Sequence, residues 1–139
     1  MLPFFIYSQD NNMKFEGHSG TTVKKADNMI IATFVGQHDE YDVDRIIKEI
    51  IDFSKDMDYF YYIADLSKFE GGTREAFDNY GEFLDSLYAL PNFKERLRIV
   101  PQKQQTHAKI ISANNEKFET NKHTDFESIE EIKNYIKNQ

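Results

Sequence analysis

The chain has 139 residues, 40% hydrophobic and 29% charged, the composition of one globular domain with its own core rather than of a disordered segment. It has no cysteine, which excludes disulfides, thiolate metal sites and cysteine nucleophiles and favours a reducing compartment, the cytoplasm in the simplest reading. A formal net charge of −7 argues against nucleic acid or an anionic membrane as the main partner, because phosphate binding needs clustered cations.

The apolar start Leu2–Tyr7 lacks a preceding cationic region and runs into the polar stretch Ser8–Asn12, so it does not read as a signal peptide. No stretch approaches the roughly 20 apolar residues of a spanning helix, and no integral membrane insertion is expected. Residues 1–12 form an N-terminal extension that either frays or covers a sheet edge or a second copy of the chain, which leaves a homodimer open. Residues 13–139 form a single domain.

Met13–Phe15 and Thr21–Lys24 suit antiparallel edge strands, with turns at Gly17, Gly20 and Asp27-Asn28. Met29–Val35 is apolar on both alternating faces and ends at Gly36, as a strand covered on both sides does. Asp39 then caps a helix whose apolar positions Val43, Ile46, Ile47, Ile50 and Ile51 make one stripe. Tyr59–Leu66 has the character of a central strand. Thr73 is an N-cap for a helix with Ala76, Phe77, Tyr80, Phe83, Leu84, Leu87 and Tyr88 on one face, stopped by Pro91.

A short strand at Leu97–Val100 leads to a weaker helix through Ala108 and Ile111, and Lys117–Glu119 suits a last short strand. Ser128 and Glu131 make a capping box for a final helix with Ile129, Ile132, Tyr135 and Ile136 inward. Strands alternating with helices at this spacing predict an α/β domain built from βαβ crossovers, with a mixed sheet covered by about four helices.

Gly17-His18-Ser19-Gly20 before an early strand, Phe34-Val35-Gly36 closing the next, Asp65-Leu66-Ser67 after the central strand, and Phe126–Ile132 opening the last helix together resemble the STAS-like family, in its small SpoIIAA-like bacterial form. The resemblance runs from about Met13 to Ile136. It implies a mixed sheet flanked by helices and a non-enzymatic regulatory or docking role with an unidentified protein partner. In the anti-sigma-factor-antagonist branch the switch is a serine directly after an aspartate, near the start of the helix that follows the central strand. The matching stretch here is Phe69–Arg74 with no Asp-Ser pair, and its nearest hydroxyls, Ser67 and Thr73, are the candidate phosphorylation sites.

The candidate partner or ligand surface is Asp65, Ser67, Glu70, Gly71, Gly72, Thr73 and Arg74, because open α/β sheets bind ligands beyond the carboxyl ends of their strands. Gly71 and Gly72 permit a tight turn, and Thr73 opens a helix whose free N–H groups attract anions; an ordinary loop and cap explains the same residues. The four histidines, His18, His38, His107 and His123, are dispersed, so neither a metal nor another cofactor is expected. His38-Asp39-Glu40 reads as a solvated loop before a helix cap.

Lys94, Arg96, Arg98, Lys103 and Lys109 are a basic stretch in an acidic chain. Arg96 and Arg98 share one side of a strand, read as a solvated face first and, as the alternative, as facing an acidic partner or a small anionic ligand. Tyr59–Tyr62 suggests core packing first and, as the alternative, an apolar pocket for a small hydrophobic ligand or lipid. There is no G-x-S-x-G elbow, no carboxylate pair with an evident role and no metal-ligand cluster, so no enzyme and no catalytic residue are expected, a triad through Ser67 and a distant histidine being the exception left open.

Overall fold

The computed structural model describes residues 19–101 and 123–139. Strands β1 (Thr22–Ala26) and β2 (Met29–His38) form an antiparallel hairpin in which Ala26 faces Met29. The two-residue turn between them places Asp27 at φ +55°, a left-handed conformation that aspartate tolerates better than most residues. Helix α1 (Glu40–Ser54) crosses to β3 (Phe60–Gly72), and α2 (Arg74–Leu87) crosses to β4 (Phe93–Ile99). After the undescribed segment come β5 (His123–Phe126) and helix α3 (Ile129–Lys137).

The sheet order is β1-β2-β3-β4-β5, with β2 to β5 mutually parallel. The predicted mixed α/β sheet is therefore present, with three flanking helices among the described residues. The expected strand at Met13–Phe15, the helix through Ala108 and Ile111, and the strand at Lys117–Glu119 lie outside them.

Strand alternation divides the core into two layers. Ile30, Ala32, Phe34, Phe60, Tyr62 and Ala64 point towards α1 and α2, where they meet Ile46, Ile50, Phe83, Leu84 and Leu87. Met29, Tyr61, Ile63, Leu97 and Ile99 point the other way and pack on Ile132 of α3. The caps are those read from the sequence. Asp39 and Asp42 cap one another's backbone N–H at the start of α1, Thr73 accepts from Ala76 N at α2, and Ser128 accepts from Glu131 N at α3.

Besides Tyr88, which follows α2 and is 42% exposed rather than inward, three expectations need correction. The α1 stripe is narrower than five residues: Val43, Ile46 and Ile50 are buried, whereas Ile51 is 37% exposed, because α1 packs between one sheet face and α2 and leaves its far shoulder in solvent. Strand β4 starts at Phe93, four residues before the predicted start, since Phe93, Glu95 and Arg96 pair with Phe60, Tyr61 and Tyr62 despite their charge.

The third correction concerns β3, which does not end in a loop after Leu66. It runs on to Gly72, because β2 is long enough to pair with it: Val35 with Lys68, Gly36 with Phe69, Gln37 with Gly71 and His38 with Gly72. Two register shifts, between Thr33 and Val35 and between Gly36 and Gln37, each insert one extra residue on β3. Such bulges bend a strand and re-aim its side chains.

Candidate functional site

The bulged half of β3 leaves a slot between α2 and the sheet. Its floor includes Phe34 and His38 of β2 and Ala64, Leu66 and Phe69 of β3, and its roof is Ala76, Phe77, Tyr80, Gly81 and Leu84 of α2. Arg96 and Arg98 of β4 complete one wall. The slot exists because Ala64, Gly72, Ala76 and Gly81 stand where larger side chains would close the layer, as Phe60 and Tyr62 do further back on β3. The space free of protein atoms is about 650 Å³ counted to the open mouth, but the centre of a water-sized sphere has only about 60 Å³ to move in. This is room for a few waters or one slim apolar group, not for a bulky ligand.

Polar groups are few and buried. His38 is 4% exposed, and its Nε2 hydrogen-bonds the Thr21 hydroxyl, which also accepts from Val35 N at 2.9 Å. Burial holds the imidazole below its ordinary pKa, outweighing the opposing pull of the Gly71 backbone and the Asp42 carboxylate, so His38 is neutral at neutral pH. Arg98 is 4% exposed and forms a bidentate pair with Asp125 of β5, Nε to Oδ1 at 2.8 Å and Nη2 to Oδ2 at 3.0 Å.

Arg96, 3% exposed, lies beside Tyr62 in the ladder, and its charge acts on that phenol. The expectation of a solvated face for these two arginines is overturned. They do share one side of the strand, but that side is the one covered by α1 and α2 rather than solvent. Among the described residues, the slot wall carries no carboxylate.

Of the seven residues proposed from sequence, Gly72 alone lines the slot. Asp65 accepts from both the N–H and the hydroxyl of Ser67, at 3.0 and 2.7 Å, which staples the first bulge. Gly71 sits at φ +110°, and a Cβ on Gly72 would come within 2.7 Å of the His38 carbonyl oxygen, so both glycines serve the close β2–β3 approach and not a loop. Thr73 caps α2 through its hydroxyl at 3.1 Å and donates its N–H to the His38 carbonyl at 2.9 Å. Glu70, Gly72, Thr73 and Arg74 are exposed beside one another at the start of α2.

The aromatic strand is core except at Tyr59, which precedes β3 and is 42% exposed. Phe60, Tyr61 and Tyr62 are buried, and the Tyr62 hydroxyl bonds that of Tyr80 at 2.7 Å. The pocket begins further along the same strand, at Ala64. His38 is likewise no part of a solvated loop, because pairing with Gly72 carries β2 through it. Lys94 lies over the Tyr59 ring, 5.4 Å from its centre. Lys103, Lys109, His18 and His107 lie outside the described residues. Among the described residues, no three histidine, aspartate or glutamate side chains gather as a metal site would require, and no helix is long and apolar enough to cross a membrane.

Sheet order, crossovers and helix placement define a SpoIIAA-like α/β fold, the architecture implied by the sequence resemblance. A solved structure of an uncharacterised protein from the DUF3478 family with a SpoIIAA-like fold, from Shewanella loihica PV-4, matches 84% of this chain and 91% of its own at a TM-score of 0.57 and 13% identity. At that identity the likeness concerns the fold. No protein-family model and no curated protein matches the sequence.

Proposed function

We propose that this chain is a non-catalytic, cytoplasmic binding domain whose ligand is a small, largely apolar molecule held in the slot between α2 and the sheet. The observation that carries the reading is the slot itself: a concave, mainly apolar space at the carboxyl end of parallel strands, with a few convergent polar groups, is the usual form of a ligand site. A protein partner would instead use the exposed surface at the start of α2. The test uses 1-octanol as a slim neutral probe, followed by NMR. Resonances of Leu66, Ala76 and Leu84 should shift together, and Ala64→Leu, which fills the slot, should abolish the shifts while circular dichroism stays native. Shifts scattered over the surface, or unchanged in Ala64→Leu, would sink the proposal.

A second reading, a regulatory domain that docks a protein partner through residues 65–74, is favoured by the exposed cluster Glu70, Gly72, Thr73 and Arg74. The hydroxyls of Ser67 and Thr73 are engaged by Asp65 and by the helix cap, so phosphorylation there would first have to break a local bond. Native mass spectrometry of the protein isolated from its own cells separates the two. A stoichiometric protein partner, or phosphate on Thr73 or Ser67, selects the regulatory reading. A small-molecule adduct without protein selects the slot.

A further inference from the structure

We infer that His38 holds the polar end of the slot's ligand: its Nδ1–H donates to a neutral acceptor oxygen, of the carbonyl or hydroxyl class, on a slim apolar molecule. This rests on the slot-binding proposal and adds the chemistry of the ligand's head group.

His38 lines the slot beside Phe34 and Phe69, whose rings lie 5.4 and 5.5 Å from its own, centre to centre. It is 4% exposed, and its Nδ1 has no hydrogen-bond partner among the described residues. Thr21 decides where the ring proton sits. That hydroxyl, itself 4% exposed, already accepts from Val35 N, and among the described residues its one proton has His38 Nε2 as acceptor. When Thr21 donates to Nε2, the neutral ring carries its own proton on Nδ1, and one buried polar atom is left unmet. The opposite tautomer leaves two, the Thr21 proton and the Nδ1 lone pair. The backbone of Gly71 and of Gly36 acts on the ring to favour protonation, yet neither meets Nδ1 in hydrogen-bond geometry. A buried donor without an acceptor costs free energy that a ligand oxygen recovers. That oxygen is neutral rather than anionic, because the Asp42 carboxylate, 3% exposed, already acts on the imidazole, and a second negative charge beside it would be repelled. Arg98 does not reverse this, since Asp125 already holds it through two hydrogen bonds.

The test begins with a long-range proton–nitrogen NMR spectrum of the full chain. Without ligand, the His38 proton is expected on Nδ1; a proton on Nε2 overturns the inference. The ketone 2-hexanone, which can only accept, should move the Nδ1 resonance, whereas 2-methyl-1-hexene, the same skeleton with CH2 in place of the oxygen, should not. His38→Phe keeps a ring between Phe34 and Phe69 but removes the donor, and in it the ratio of ketone to alkene affinity should fall about three- to tenfold. An unchanged ratio in the folded variant, or ketone binding that leaves Nδ1 unmoved, overturns the inference while the slot proposal stands. Should the variant not fold, the response of Nδ1 in the unmodified protein decides. If neither probe binds while 1-octanol does, the inference alone falls; if none of the three binds, both fall.

Discussion

The two faces of the sheet are built to different ends, and β4 shows it within seven residues. Leu97 and Ile99 face α3, where they join Met29, Tyr61, Ile63 and Ile132 in a closed apolar layer. Arg96 and Arg98, alternating with them, face the α1–α2 side and border a slot. Around that slot stand small residues, a strand twice bulged and three nitrogen-rich side chains, where maximal stability would call for bulk and regular pairing. The loosely packed part of that face is where the proposed ligand site lies, and functional sites are common places for such departures from close packing.

The largest effect should come from the closed face. Leu97→Ala removes a fully buried side chain and should cost about 2–5 kcal/mol of stability in denaturant titration, with octanol affinity unchanged. An affinity loss as large as the stability loss would show that the faces are not independent.

On the slot face, Asp125→Ala strips Arg98 of its bidentate partner. Because Asp125 is 38% exposed at its side chain, the cost should be about 2 kcal/mol, below the range for fully buried pairs. A cost below about 0.5 kcal/mol in denaturant titration would show that the pair contributes no more than an exposed ion pair does.

The smallest effect should be the pH dependence of His38. Its folded pKa lies below the ordinary value because of burial. The unfolded chain therefore takes up this proton first as pH falls below about 6.5, and the stability held above that point declines until the folded imidazole also titrates. Denaturant midpoints between about pH 5 and 8 should fall with acidity in the unmodified protein and fall less in His38→Gln. Parallel curves would remove His38 from the account.

The caps at Asp39, Thr73 and Ser128, the apolar alternation of β2 and β3, and the stop before Pro91 were legible because each depends on neighbours within a few positions. So was the α/β order, since alternating elements of this length have few ways to cover one sheet. Even the small residues of the slot are visible in the sequence, although Ala64, Ala76 and Gly81 mean nothing there until they converge. The extension of β3 to Gly72 was not legible, because Lys68 to Gly72 is polar and glycine-rich and becomes a strand only through the partner that β2 supplies.

Local sequence thus determined the caps of the three described helices and the face each pair of strand residues shares, but not where β3 ends or β4 begins. Tertiary structure alone decided which face is covered. Period-two alternation puts Arg96 and Arg98 side by side, but it does not say on which side. Their burial follows from α2 roofing the slot and from Asp125 arriving 27 residues later to grip Arg98. A charge can be buried only when such partners come together in space, and no window of neighbouring residues contains them.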